Sequence, residues 1–250
     1  MIKFNKKDII IEQFKFIIFC FKNKKDFIQL INFIIFNFLT FFRSRFYKIY
    51  RDVAKKKNII YFNKSFYLNF EFDNRFGYFY ALKNKYHQVD LICKFLQSKK
   101  IKSLNKKSLV ELGCGQGINL SIIQKLNFKK IIGYDINKEH INFGKKFYKN
   151  KFNLYKADVC SKKFFSKKKF DYLITLNFLS FVDIKKQIFF LRSAKKISNK
   201  IILIENSYQR KLKRKKHFYD SLMKEKFKIF RKKIYHPDKI VCLFYYNFDK

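Results

Sequence analysis

Three of the chain's six glycines fall within five positions, in the run Glu111-Leu112-Gly113-Cys114-Gly115-Gln116-Gly117. In 250 residues so poor in glycine, such a cluster marks a backbone that must take positive φ or let another group approach closely. The apolar run Ser108-Leu109-Val110 precedes it, and Ile118-Asn119-Leu120-Ser121-Ile122-Ile123 begins a helical pattern after it. Strand, glycine turn and helix together predict a loop that offers backbone N–H groups and a positive helix end to a ligand. This arrangement predicts a cofactor loop.

The spacing narrows the cofactor. A dinucleotide loop follows G-x-G-x-x-G, its third glycine allowing close helix–strand packing. Here the pattern is G-x-G-x-G, and Ile118 stands where that third glycine belongs. Twenty-two residues beyond Gly113, the run Ile131-Ile132-Gly133-Tyr134 ends in Asp135, an acid at the tip of a second strand. A carboxylate there can accept hydrogen bonds from both hydroxyls of a ribose. A third strand ends at Ala157-Asp158-Val159, which offers another acid to an exocyclic amine. The next, Phe170-Asp171-Tyr172-Leu173-Ile174-Thr175-Leu176-Asn177, carries Asp171 at its start, a place for a structural acid.

From residue 107 onward strands and helices alternate. Strands are predicted at 108–112, 130–134, 152–156, 170–176 and 200–205, with helices at 117–126, 137–149 and 184–196 between most of them. Such alternation implies an α/β fold, a parallel sheet covered by helices on both faces. Two further strands, 227–231 and 239–245, are joined by Tyr235-His236-Pro237-Asp238 and predict a terminal antiparallel hairpin. Upstream, residues 86–96 have helical spacing, whereas 58–84 look aromatic and irregular.

Taken in order, the glycine run, Gly133-Tyr134-Asp135, Ala157-Asp158-Val159 and Phe170-Asp171-Tyr172-Leu173-Ile174 resemble the successive motifs of class I S-adenosylmethionine-dependent methyltransferases. The resemblance covers about residues 105–250. It implies a Rossmann-like, mostly parallel seven-stranded sheet with a C-terminal antiparallel hairpin, and S-adenosyl-L-methionine as cofactor. It further implies that Gly113, Cys114, Gly115 and Gly117 take the methionine end, with Glu111 beneath the loop near the sulfonium. Asp135 would hold the ribose, Ile136 would pack on adenine, and Asp158 with Val159 would meet that base from the other side. Asn177 would stand at both the cofactor and the reacting group. His87, ahead of the motifs, is the candidate base. His140, in the helix after Asp135, is expected to face solvent.

Absences shape the acceptor. The chain's single proline is Pro237, so the Asn/Asp-Pro-Pro-aromatic signature of adenine or glutamine N-methylation is missing, as is a Pro-Cys nucleophile for cytosine. A small-molecule, lipid-linked or glycan acceptor is therefore expected, with O-methylation ahead of N-methylation. A formal charge of +40 would ordinarily point to nucleic acid. Yet Lys, Asn, Ile, Phe and Tyr are together the products of A/T-rich codons, and a biased genome yields the same balance. The runs Lys167-Lys168-Lys169 and Arg210-Lys211-Leu212-Lys213-Arg214-Lys215-Lys216 are the candidates for an RNA-tracking surface, and an RNA methyltransferase is the alternative reading. A non-catalytic, membrane-associated scaffold with the same fold is a third.

Five scattered cysteines without C-x-x-C spacing suggest neither a disulfide framework nor a metal site and suit a reducing cytoplasm. Three regions are expected: a helical aromatic and basic extension over 1–57, a connecting region with a leading helix over 58–104, and the methyltransferase domain over 105–250. Within the extension, 27–42 is uncharged but shorter than the roughly 20 apolar residues of a spanning helix. It is read as a lid on the domain or, through residues 14–51, as a peripheral contact with an anionic membrane on its inner face.

Overall fold

The computed structural model describes residues 6–22, 77–101, 103–165, 169–179, 182–208, 215–236 and 239–248. The uncharged segment 27–42, most of 58–84, Lys167, Lys168, residues 210–214 and the hairpin residues Pro237 and Asp238 lie outside them. The chain divides into two compact units, Phe4–Asn84 and one built on Lys85–Lys250. In the first, helix α1 (Lys6–Phe21) exposes Ile10, Ile11, Phe14, Ile18 and Phe21 by half or more of their surface. At 100° per residue these five lie within an arc of about 100°, a single apolar stripe. Among the described residues no helix is long and apolar enough to cross a membrane.

Helix α2 (Gly77–Ser98) begins nine residues before the predicted start at Tyr86. Its opening turns, Gly77-Tyr78-Phe79-Tyr80, lack capping signals and are rich in aromatics, whose weak helix propensity hid the boundary. The remaining elements follow in alternation: β1 (Ser108–Leu112), α3 (Ile118–Ile123), β2 (Lys130–Asp135), α4 (Lys138–Tyr148), β3 (Asn153–Lys156) and β4 (Phe170–Leu176). Then come α5 (Ile184–Ile197), β5 (Ser198–Tyr208), α6 (Lys215–Lys224), β6 (Lys228–His236) and β7 (Lys239–Tyr246). Helix α6 was not foreseen: it grows out of the basic run, whose charge masked the turn-to-turn spacing of Phe218 and Leu222.

The seven strands form one sheet in the order β3-β2-β1-β4-β5-β7-β6. The first five are parallel, while β7 runs antiparallel to β5 and to β6. From β1 the chain steps outward through β2 and β3, then returns to lay β4 against the other side of β1. A crevice at the C-terminal strand ends is the consequence of that reversal. Register brings the ends level: Leu112 pairs with Tyr134, Asp135 with Lys156, and Leu176 with Ile204.

Alternation along the strands fills both faces. Val110, Leu112, Leu173, Ile201 and Leu203 pack with Phe190, Leu191 and Ala194 of α5 and Leu222 of α6. On α2, the fully buried Phe95 meets the rings of Phe230, Tyr245 and Phe248 at 4.8–5.0 Å. Each such aliphatic or aromatic burial contributes about 1.5–3 kcal/mol. Asp171 proves structural, as expected: its carboxylate accepts the Ser108 N–H and hydroxyl, both at 2.8 Å, and Lys107 Nζ at 3.1 Å. Burial alone would raise its pKa, but these bonds to Ser108 and Lys107 hold it below the ordinary value.

Candidate active site

The loop after β1 turns through positive φ at Gly113 (75°), Gly115 (55°) and Gly117 (83°). A side chain is resisted differently along it. A Cβ on Gly113 would strike the ring of Phe178, whereas one on Gly115 would find no atom within 4 Å. Gly115 therefore faces open space at the crevice.

The loop's amides are largely engaged. Gly113 and Cys114 donate to the Tyr134 carbonyl at 2.8 and 3.0 Å, and Gly117 donates to Cys114 O at 2.9 Å. Gly115 N–H donates to Asp135 Oδ2 at 2.8 Å, and Asn137 N–H to the other oxygen, Oδ1, at 2.8 Å. This corrects the expectation of a loop offering free N–H groups, and α3 is a mere six residues long. The correction has a chemical consequence. A pyrophosphate needs those amides free, whereas ribose hydroxyls need only the carboxylate as acceptor.

The other predicted residues divide between the crevice and its foundations. Glu111 is fully buried, its Oε1 accepting Asn119 Nδ2 at 2.5 Å, so it braces β1 against α3 beneath the loop. Cys114 is buried too; burial first, then the Glu111 and Asp135 carboxylates, push its thiol well above the ordinary range, and it stays protonated. Ile136 is half-buried and Val159 buried, while Asp158 is exposed, with Oδ1 accepting Cys160 N–H at 3.0 Å in a turn. Asn177 follows β4 with φ 58°, and its Oδ1 is buried without a hydrogen-bond partner. His87 is exposed on α2. His140 departs from expectation: it is 5% exposed. Gly144, one turn on, lets α4 approach so closely that a Cβ there would meet the Gln116 carbonyl oxygen, and the whole helix face sinks with it.

Sequence reasoning missed Glu205. This carboxylate, 2% exposed near the C-terminal end of β5, accepts the N–H groups of Phe178 and Leu179 at 2.9 and 2.8 Å. An acid closing the apolar run Ile201-Ile202-Leu203-Ile204 was the available signal.

Two features test whether S-adenosylmethionine suits these residues. The open side of Gly115 leaves room beside the loop, and the orphaned Asn177 Oδ1 is an acceptor that an ammonium group would satisfy. Both fit.

A doubly covered, mostly parallel sheet with a glycine loop after its first strand and an acid closing its second defines the Rossmann-like α/β class. A methyltransferase-domain family model matches residues 84–232, and the chain belongs to that family. Its fold is that of S-adenosylmethionine-dependent methyltransferases. It is similar to magnesium protoporphyrin IX methyltransferase from Synechocystis crystallised with S-adenosylhomocysteine (13% identity, 67% of this chain and 86% of that one, TM-score 0.51). An S-adenosylmethionine-dependent methyltransferase from Clostridium acetobutylicum is comparably similar (12% identity, 68% and 98% covered, TM-score 0.51). At such identities the likeness is one of fold. A search of curated proteins finds no match to the sequence.

Proposed function

We propose that this protein binds S-adenosylmethionine across the C-terminal ends of β1, β2 and β4 and methylates a small-molecule, lipid-linked or glycan acceptor. Oxygen is preferred as the acceptor atom, since the sequence signature of adenine and glutamine N-methylation is absent. One observation carries the reading: the Asp135 carboxylate, held by the Gly115 and Asn137 amides beside the open side of Gly115. Each of its oxygens accepts one amide and keeps a lone pair, so two adjacent ribose hydroxyls find two acceptors.

Val159 and Ile136 supply apolar surface for an adenine, and the second oxygen of Asp158 suits its amine. Asn177 Oδ1 is assigned to the ammonium of the amino-acid end, with the Glu111 charge beneath the loop favouring a sulfonium. When bound, the cofactor supplies an electrophilic methyl group whose transfer leaves a neutral thioether. The protein's part is to align the acceptor with that methyl and exclude water. For an acceptor hydroxyl that must lose its proton, His87 is the assigned base.

The apolar stripe of α1, flanked by exposed Lys15 and Lys22, supports a peripheral contact with an anionic membrane from the cytoplasmic side. Calorimetric titration with S-adenosylmethionine and S-adenosylhomocysteine tests the central claim. Asp135→Ala is expected to weaken binding by about 1–3 kcal/mol, roughly ten- to a hundredfold. Wild-type protein that binds neither compound would defeat the proposal.

A further inference from the structure

Glu205, near the C-terminal end of β5, binds the main chain of the loop that follows β4. Residues 201–204 of β5 are at most 1% exposed, and a carboxylate among them is tolerated only when hydrogen-bonded. Two of its bonds go to the loop after β4. Asn177 N–H donates to the Ile204 carbonyl at 2.7 Å, and the next two amides, of Phe178 and Leu179, both donate to Glu205 Oε1. Three consecutive amides of the loop after β4 are thus held by β5, one through the main chain and two through a side chain. From the other side Gln187, 4% exposed, donates to the carbonyls of Leu179 and Val182, each at 3.1 Å.

What this clamp holds matters. The ring of Phe178 stands where a Cβ of Gly113 would be, and it packs on Phe190 with centroids 5.1 Å apart. Asn177, with its unpaired Oδ1, is the residue before it. We infer that Glu205 is a positioning residue: its buried carboxylate fixes the Phe178 ring against Gly113 and Asn177 at the crevice, and so sets the wall between cofactor and acceptor. The inference rests on the cofactor reading proposed above. It predicts a role for hydrogen-bond acceptance rather than for charge.

The test compares wild type, Glu205→Ala, Glu205→Gln and Glu225→Ala by S-adenosylhomocysteine calorimetry, amide hydrogen exchange over 177–179, and thermal melting. Glu225 serves as the structural control: it joins Arg192 and Lys195 of α5 to the end of α6, remote from the strand ends that carry the site. Glu205→Ala should speed exchange at Phe178 and Leu179 about tenfold or more and weaken binding by about tenfold, as expected for a lost buried acceptor. Glu205→Gln keeps an oxygen able to accept both amides and should stay within about threefold of wild type in both readouts. Glu225→Ala should lower the melting temperature while leaving affinity unchanged. If the alanine variant does not fold, Glu205→Asp, one methylene short, replaces it with the same expectations. Unchanged affinity in a folded Ala or Asp variant, or a folded Gln variant as weak as Ala, overturns the inference. Wild type that fails to bind removes the cofactor reading and this inference together; wild type that binds confines any failure to Glu205.

Discussion

Gly113 and Gly115 occupy the same kind of backbone for different reasons. Both have positive φ, so alanine at either costs about 1 kcal/mol in local conformation. At Gly113 the new methyl must also displace the Phe178 ring, whereas at Gly115 it enters open space. Chemical denaturation should therefore find Gly113→Ala the less stable protein by a further 1–3 kcal/mol or so, the usual cost of overpacking. Equal losses would mean that Phe178 does not fix that wall. The glycines and Asp135 were legible because their meaning is local: a turn, and an acid at a strand tip. Glu205 was not, because its partners lie 26 and 27 residues earlier and meet it only through the β4–β5 pairing.

Between elements, Glu225 is a multiply bonded polar link. Arg192 Nε and Lys195 Nζ donate to its two oxygens at 2.8 Å each, and Lys195 also reaches the Glu225 carbonyl at 2.6 Å. Burial would raise this carboxyl's pKa, but the bonds and charges of Lys195 and Arg192 bring it below the ordinary value. A depressed folded pKa stabilises the protein above the unfolded value near 4.5 and loses that stabilisation as pH falls through the folded value. Glu225→Gln should thus cost about 1–2 kcal/mol at pH 7 and converge on wild type in acid, measured by denaturant unfolding across pH. A gap that does not narrow would assign the loss to packing. Helix α1 gives the other element-scale prediction. If the proposed membrane contact is made by this stripe, replacing Ile10, Phe14 and Ile18 by serine should abolish co-sedimentation with anionic vesicles while leaving S-adenosylhomocysteine binding intact; retained sedimentation would defeat that proposal.

At the scale of the whole molecule, binding to the folded state alone must appear as stability. S-adenosylhomocysteine at about 100 times its Kd should add about 2.7 kcal/mol, read as a raised melting temperature. NAD at matched concentration should add nothing, because the amides that would hold its pyrophosphate are engaged and Ile118 stands in place of the third glycine. A shift with NAD instead would reverse the cofactor assignment.

By itself the sequence determined the alternation of strands and helices, the position of the cofactor loop and the acid that closes the next strand. These follow from periodicity and backbone sterics, which act over a few residues. Only the tertiary structure decided which amides that loop has left to offer, that His140 is buried, and that Glu205 holds the far wall. Each of those depends on which strand lies beside which, and hydrogen bonds across a sheet join residues that no local spacing connects.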